Sequence, residues 1–306
     1  MNQEHESSGQ ARFGPSSLWL GLMGSVFREP EKVDLETFRA PGTLNNRLAS
    51  WDPVSRNQRD YKTLLFNTAQ AMPDRFFAIY SSLDTSVGRP VTVSLRGLSI
   101  DMDYLLAVHE LLEFEAVIGH TKSICEIGAG FGRTCHVTLQ TYGSQIDHYT
   151  IVDLAPCLVL SERYLKRVLS GDLFRKVRFV RETETASLEG HDLFINIDSM
   201  AEMDEPVARN YLAIIASRGR FFFTRNPVGK YSPAMVGITE YQPDELEAAL
   251  SAGLMTNIVD IFNDAELSKA RESFEVCMSP GATWKIRSSR PSVPCAYYQN
   301  CLYYQT

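Results

Sequence analysis

The hydrophobic and polar positions alternate along the chain in blocks that predict strands and helices in turn from residue 121 onward. Short apolar runs predict strands at 123–127, 148–152, 177–181, 192–197, 220–224 and 256–262, with further short strands at 274–279 and 283–287. Amphipathic segments between them predict helices over about 132–142, 156–169, 205–217 and 243–252. Regular alternation of this kind is typical of an α/β fold with a doubly wound, mostly parallel sheet.

The pattern before residue 120 is different. Residues 1–15 are polar and predict a disordered or flexible arm, and residues 42–60 are loop-like. Helices are predicted at 17–27, 59–71, 73–81 and 101–118, with a short strand at 91–95. We therefore divide the chain into an N-terminal arm and helical cap, 1–119, and an α/β domain, 120–306. The apolar pieces of the first part cannot bury themselves alone, so we expect them to close over the ligand pocket or to form an oligomer contact.

The first predicted strand runs directly into a glycine-rich turn. Glycines stand at 128, 130 and 132, a G-x-G-x-G spacing, whereas the dinucleotide-binding pattern G-x-G-x-x-G would need glycine at position 133, which is Arg133. Glycine lets the backbone bend sharply and approach a ligand closely, and the following helix offers free N–H groups. The simpler alternative is a structural strand-to-helix turn, because short glycine motifs often occur without a ligand.

An acidic residue ends the second predicted strand. Asp153 lies about twenty residues after the glycines, which is the length of one crossover helix with its loops. A carboxylate at this place in a βαβ unit can accept hydrogen bonds from both ribose hydroxyls of a nucleoside. NAD-dependent enzymes use the same arrangement, so Asp153 alone does not separate an NAD site from other nucleoside sites.

Composition narrows the class of protein further. The chain has 306 residues and a net charge of −7, which gives no electrostatic reason to expect nucleic acid or an anionic membrane as a partner. The six cysteines show no C-x-x-C pair or zinc spacing, and no His/Asp cluster has clear metal spacing, so no metal is predicted. Cys125 and Cys135 are expected to be reduced core residues. The polar, acidic N-terminus does not resemble a signal peptide, and a cytoplasmic location is the default expectation.

Polar residues also gather at the end of the fourth predicted strand. Asn196 would be costly to bury without partners, so we expect it to face a cofactor or substrate. Asp198, Ser199 and Glu202 follow it. The pair Ser199-x-x-Glu202 matches a capping box for the next helix. Asp204-Glu205-Pro206 is a competing helix start, which would leave Glu202 in the loop.

Together these segments resemble a bacterial family named as sugar O-methyltransferases, whose members occur in natural-product pathways. The resemblance is carried by Glu126–Arg133, Val152–Pro156, Asn196–Met203 and Phe223–Asn226. It covers roughly 120–230 and extends loosely to the Tyr61 region and to Trp284-Lys285. It implies a class I, Rossmann-like fold and S-adenosylmethionine (SAM) as cofactor. The cofactor-binding residues that it implies are Glu126, Gly128, Ala129, Gly130, Asp153, Leu154 and Asn196.

Methyl transfer is an in-line displacement at the sulfonium methyl group of SAM, and most of its rate comes from positioning. An alcohol acceptor must also lose a proton, so a base helps. Glu202 is our first candidate for that base, followed by Asp198 and by His136, which lies one helical turn after the glycines. Tyr231, in the loop after the fifth strand, is expected to line the acceptor pocket.

The acceptor itself stays open at this stage. We expect a small molecule methylated on a sugar or other hydroxyl. The main alternative is C- or N-methylation of an aromatic metabolite such as an indole, because an electron-rich carbon needs less help from a base. A SAM-fold protein without methyl transfer is a third reading, and the glycine spacing and Glu126 disfavour an NAD-binding oxidoreductase. No nucleic-acid or membrane partner is expected, and a homodimer is left open.

Overall fold

The computed structural model describes residues 14–25, 29–40, 58–238 and 240–306. They form two compact units. Residues 29–40 and 58–179, here called the glycine-loop unit, contain the glycine-rich turn; residues 14–25 and 180–306 form the C-terminal unit. The boundary predicted at 119/120 falls inside the glycine-loop unit, and the division into cap and α/β domain stays a prediction.

Helices and strands alternate through most of the chain. Helices α1 to α10 are Ser17–Ser25, Gln58–Gln70, Asp74–Tyr80, Met102–Ile118, Arg133–Tyr142, Ala155–Val168, Gly171–Phe174, Glu205–Arg218, Pro243–Ser251 and Asp264–Cys277. Strands β1 to β9 are Thr92–Leu95, Leu98–Asp101, Ser123–Ile127, His148–Asp153, Val177–Arg181, His191–Ile197, Gly219–Pro227, Trp284–Pro291 and Tyr298–Gln305.

In the glycine-loop unit, β3 and β4 pair in parallel, from Ser123 opposite His148 to Ile127 opposite Val152. Every residue of β3 is buried, as expected for a parallel strand covered on both faces. Helix α4 begins after Asp101, whose side chain accepts a hydrogen bond from the Tyr104 backbone N–H. The glycine-rich turn therefore starts from a fully buried strand.

In the C-terminal unit the strand order is β6-β7-β9-β8. Strands β6 and β7 are parallel, with Ile197 opposite Arg225, whereas β9 runs antiparallel to β7 and to β8. The strands of the protein are mostly parallel and helices flank them, so the predicted Rossmann-like α/β fold is confirmed.

Three predicted details are wrong at the C-terminal end. Residues 256–262 form no strand; within them, Ile258 makes an isolated bridge to Lys230. Residues 274–279 include the end of α10, whose buried Leu267 and Phe274 lie seven residues apart on one helix face. Strand β9 was not predicted, because buried polar residues interrupt its apolar pattern.

Other predicted segments lie partly outside the residues that the structure describes. The helix predicted at 17–27 is present as α1, whose last residue is Ser25. Residues 26–28, residues 1–13 of the predicted arm and residues 42–57 of the predicted loop lie outside the described residues, and residues 58–60, also predicted as loop, belong to α2. Cys125 and Cys135 are buried and form no disulfide, as predicted. Among the helices that the structure describes, none combines the length and the apolar character needed to cross a bilayer.

Candidate functional site

The glycine-rich turn has a backbone that other residues rarely adopt. Gly128, Gly130 and Gly132 all have positive φ, at 76°, 57° and 92°. Because a Cβ atom disfavours this region, the backbone itself requires glycine at these positions. The Gly128 N–H donates to the Val152 carbonyl at 2.8 Å, so the turn begins beside the end of β4. The sequence spacing therefore marked a real strand-to-helix turn.

Asp153 ties the end of β4 to this turn. Its Oδ2 accepts from the Gly130 N–H at 2.9 Å and its Oδ1 accepts from the Leu154 N–H at 2.8 Å. A carboxylate has about four acceptor positions, so Asp153 can accept hydroxyl donors besides these backbone groups. Ala129 is buried between the first two glycines, and Leu154 is half-buried where α6 begins. These predicted cofactor residues lie together where the glycine turn meets the end of β4.

Glu126 supports the turn from within β3. Its side chain is buried and accepts from the Tyr149 hydroxyl at 2.8 Å. Burial raises the pKa of Glu126 to about 7, although hydrogen bonds from Tyr149 and Thr134 act in the opposite direction. The carboxyl group is therefore about half protonated near neutral pH, next to the place where the turn begins.

We expect the Glu126→Gln variant to gain thermal stability relative to wild type as pH rises from 5 to 8. The folded pKa of Glu126 is about 7 against an ordinary 4.5, so the stability contributed by the protonated group is present below pH 4.5 and lost as pH rises through 7. The loss amounts to about 3 kcal/mol at most, at 1.36 kcal/mol for each pH unit. Glutamine stays neutral throughout. Melting temperatures measured across this range test the prediction, and a constant difference between the two proteins would contradict it.

His136 titrates in the opposite sense. Its Nδ1 lies 2.5 Å from the Tyr104 hydroxyl, which lies 2.5 Å from the Tyr164 hydroxyl. Burial lowers the pKa of His136 to about 4, so the ring is neutral at physiological pH, and its contribution to stability is lost progressively as pH falls from 6.5 to about 4. The structure favours a packing role for His136 over the predicted role as a base.

Phe38 and Arg39, near the N-terminus, pack against the glycine turn. Phe131, between the second and third glycines, packs edge-to-face on Phe38 at 5.5 Å and on Tyr164 at 5.0 Å between ring centroids. The Arg39 guanidinium lies 5.4 Å from the Phe131 centroid and pairs with Asp101. Sequence reasoning missed this support, because the ion pair joins residues 62 positions apart and no local pattern signals it.

In the C-terminal unit, Asn196 anchors the loop after β6. The side chain is fully buried, and its Nδ2 donates to the Ser199 Oγ at 2.5 Å. Its Oδ1 accepts from the Asn226 Nδ2 at 2.8 Å and the Met200 N–H at 3.3 Å. These hydrogen bonds hold the loop after β6 in place. The predicted role of Asn196 in cofactor binding stays a prediction.

Glu202 lies in this loop and does not cap the next helix. Helix α8 begins at Glu205 with Asp204 at its N-cap, so the competing start seen in the sequence is the real one. The Glu202 carboxylate is half-buried and accepts from the Trp19 Nε1 at 3.1 Å. This contact brings α1 against the loop, and nothing in the local sequence around either residue indicates it.

Asp198 has the most unusual backbone of the loop. It is a non-glycine residue with φ of 64°, and its Oδ2 accepts from the Arg225 Nη1 at 3.1 Å. Arg225 is buried, donates from Nε to the Ser292 Oγ at 2.8 Å, and lies 4.2 Å from the Tyr298 ring centroid. The role of Arg225 was not predicted, although a buried arginine within a strand is a strong signal of a polar site.

The loop after β7 adds aromatic surface. Tyr231 packs edge-to-face on Tyr297 at 5.7 Å, and Tyr297 contacts Tyr298 at 4.9 Å. Burial raises the pKa of Tyr297 well above its ordinary value, so its hydroxyl stays protonated at neutral pH. The predicted pocket residue Tyr231 is thus part of a three-tyrosine group in the same unit as Asp198 and Glu202.

Comparisons with known proteins give similarity at the level of the fold. No protein-family model and no curated protein matches the sequence. The mitomycin 7-O-methyltransferase MmcR is 11% identical over 66% of this chain and 57% of its own, with a TM-score of 0.41. The methyltransferase domain of bacterial CtHen1 is 12% identical over 66% of this chain and 97% of that domain, with a TM-score of 0.47.

A third similar structure covers more of the chain. Magnesium protoporphyrin IX methyltransferase from Synechocystis PCC 6803, solved with bound S-adenosylhomocysteine (SAH), is 12% identical over 82% of this chain and all of its own, with a TM-score of 0.43. This chain spans little more than half of MmcR. Because every quoted TM-score is below 0.5, the function proposed below rests on the geometry of the site.

Proposed function

We propose that this protein is a SAM-dependent methyltransferase that acts on a hydroxyl group of a small molecule. The observation that carries the proposal is the turn of three positive-φ glycines, bound through the Gly130 N–H to Asp153 at the end of the next strand. Because Gly128 and Gly130 lack Cβ atoms, we expect a nucleoside to approach the backbone closely at these two positions. Asp153 adds acceptor capacity for ribose hydroxyls. These residues fit SAM, with Ala129 and Leu154 beside them.

A dinucleotide fits this turn less well. Position 133, where the dinucleotide pattern needs its last glycine, holds Arg133, which is buried. It donates to the Asp103 carbonyl at 2.8 Å and pairs with Glu110 at 3.1 Å. The third glycine of the dinucleotide pattern serves close packing of helix on strand, and a bulky, anchored arginine stands there instead.

The C-terminal unit supplies the groups proposed for the acceptor. Bound SAM supplies an electrophilic methyl group on a sulfonium. Transfer of that methyl group would leave SAH, and Glu202 would take the proton of the acceptor hydroxyl. The Trp19 Nε1 holds the Glu202 carboxylate by one oxygen. Asp198 is the second acceptor-side carboxylate, and Tyr231 with Tyr297 offers a flat surface for a ring.

Two measurements test the proposal. Calorimetry should show binding of SAH and none of NAD at the same concentrations. Incubation with methyl-labelled SAM and a panel of sugars, phenols and indoles should give a product heavier by one methyl, seen by mass spectrometry. Binding of NAD without SAH would overturn the cofactor assignment. SAH binding with no methylated product from any acceptor would favour a SAM-fold protein that has lost transfer.

Methylation of an aromatic carbon or nitrogen is the second candidate. The tyrosine group of Tyr231, Tyr297 and Tyr298 favours it, because flat aromatic acceptors stack well on aromatic side chains. The NMR spectrum of the labelled product distinguishes a methyl on oxygen from one on nitrogen or carbon. The resemblance to sugar O-methyltransferases points to oxygen, and this finer assignment is part of the proposal.

We also propose that the N-terminal segment acts as the cap. Trp19 binds Glu202, and Phe38 packs on the glycine turn through Phe131. Deleting residues 1–15 should leave methyl transfer nearly intact, because it removes none of these contacts. Deleting residues 1–40 should abolish transfer, since it removes Trp19, Phe38 and Arg39 together. Full activity after the longer deletion would contradict the cap.

A further inference from the structure

Several polar irregularities gather around one buried arginine near the end of β7. Arg225 is only 1% exposed, and it is bound by Asp198 and Ser292. Asn300 of β9 stands directly opposite Arg225 in the antiparallel register. Opposite residues of a strand pair present their side chains on the same face of the sheet. Asp198, Arg225 and Asn300 therefore belong to one polar cluster, here called the Arg225 cluster.

The first irregularity is at Asp198. Its positive φ is unfavourable for a non-glycine residue, and backbone strain of this kind is concentrated at functional sites. The Oδ2 of Asp198 accepts from Arg225, whereas its Oδ1 is buried with no hydrogen-bond partner among the residues that the structure describes. The strained backbone thus places a carboxylate whose second oxygen has no partner in this part of the chain.

The second irregularity is at Asn300. The residue is 1% exposed, and neither Oδ1 nor Nδ2 has a hydrogen-bond partner within the described ranges of the chain. An unpaired buried polar group destabilises the folded state, and native proteins rarely contain one without a reason. Asn226, on the neighbouring strand, shows the ordinary situation: its side chain bonds to Asn196, Thr224 and the Ala201 N–H.

We infer that the Arg225 cluster binds hydroxyl groups of the methyl acceptor, with Asp198 Oδ1 and the Asn300 carboxamide as the binding groups and Arg225 as a positioning residue. This inference rests on the proposed methyl transfer and names its substrate class more closely. A carboxylate can only accept, so its partner must donate, whereas a carboxamide both donates and accepts. A hydroxyl does both.

The chemistry sets a requirement on the acceptor. Methylation removes the donor of the reacting hydroxyl, and Glu202 is the group proposed to take that proton. Binding at the Arg225 cluster therefore needs at least one further hydroxyl on the same molecule. The acceptor is a diol or polyol, on a sugar ring or on an aromatic ring that packs against the tyrosine group of Tyr231 and Tyr297. A phenol with one hydroxyl should be a poor acceptor.

Matched probes test this without knowledge of the natural acceptor. Catechol carries two hydroxyls, and veratrole is the same ring with both hydroxyls methylated. We expect wild-type protein, with and without SAH, to bind catechol at least about tenfold more tightly than veratrole in ligand-observed NMR titrations. A tenfold difference is the effect of one hydrogen bond to a charged group. Methyl α-D-glucopyranoside tests whether a sugar is preferred to an aromatic ring. Equal affinity for catechol and veratrole would overturn the inference.

Variants assign any discrimination to the cluster. In Asp198→Asn the amide oxygen would accept from Arg225, and the amide NH₂ would replace Oδ1, so a ligand hydroxyl would lose its acceptor. Asparagine tolerates a positive φ, so the backbone should keep its conformation. Asn300→Leu removes the unpaired amide at similar size. Asp198→Asn should bind catechol and veratrole within twofold, whereas Asn300→Leu, which keeps the carboxylate, should reduce the discrimination. Both variants should keep the SAH affinity of wild type, and Asn300→Leu should melt at a higher temperature than wild type. The matched change Asn226→Leu should lower the melting temperature, because it leaves several buried groups unpaired.

Two results would overturn the assignment. Full catechol discrimination in both Asp198→Asn and Asn300→Leu would remove the cluster from acceptor binding. A lower melting temperature for Asn300→Leu would show that the carboxamide is satisfied inside the protein, for instance by an internal water. If wild-type protein does not bind SAH, the proposed cofactor is refuted. The titrations of catechol and veratrole without SAH test acceptor binding independently of that result.

Discussion

The Asp153→Ala variant should bind SAH more weakly by roughly two orders of magnitude or more. In the proposed function Asp153 is a charged acceptor for two ribose hydroxyls, and charge-assisted hydrogen bonds contribute about 1.5–3 kcal/mol each. It also loses the bond from the Gly130 N–H, which holds the glycine turn against the end of β4. Isothermal calorimetry with SAH measures the change directly.

Asp147 provides the matched control for this prediction. It is exposed and lies immediately before the first residue of β4, at the opposite end of the strand from Asp153. Asp147→Ala should therefore leave SAH affinity unchanged. If Asp153→Ala and wild type bind SAH equally, the end of β4 does not contact the ribose. The nucleoside would then have to be sought elsewhere in the protein.

The Glu202→Gln variant should lose turnover by roughly 10²–10⁴-fold, the usual size of a general-base effect. Glutamine keeps an oxygen that can accept from the Trp19 Nε1, so the loop contact survives while the basic group is lost. Melting temperature and SAH affinity should stay close to wild type. Turnover of the acceptor found by the mass-spectrometric screen is the quantity to measure.

Glu205→Gln is the control for Glu202→Gln. Glu205 opens α8 three residues later, is exposed, and pairs with Arg209 on its own helix. Its change should leave turnover intact. Normal turnover in Glu202→Gln would mean that the base lies elsewhere or is not needed. In that case methylation of an electron-rich aromatic carbon becomes the better proposal, because it depends least on a base.

The order and type of the central elements could be predicted from the sequence. Strand β3 and the helix after it can be predicted from neighbouring residues, because an apolar run is followed by glycines at the positions where φ is positive. The prediction at 274–279 was wrong because a short apolar stretch is compatible with both a strand and a helix. The segment around Phe274 was predicted as a strand, and its packing as part of α10 shows that it is helical.

The candidate cofactor residues could also be predicted, because each lies within a few positions of a turn that the sequence marks. The supporting residues could not. Arg39 meets Asp101 and Asp103, and Trp19 meets Glu202 across 183 positions of the chain. Contacts between distant positions leave no local pattern, since any spacing along the chain can bring two side chains together in a folded protein.

The sequence by itself thus determined the glycine turn, the acid after the second strand and the polar loop after the fourth, because backbone conformation and strand ends are encoded by neighbouring residues. Only the tertiary structure decided which polar groups are satisfied. Asn196 and Asn300 are both buried asparagines within strands. The Asn196 side chain bonds to Ser199, Asn226 and the Met200 N–H, whereas the Asn300 side chain has no hydrogen-bond partner among the described residues. Hydrogen bonding depends on the atoms within about 3 Å, and these come from elsewhere in the chain.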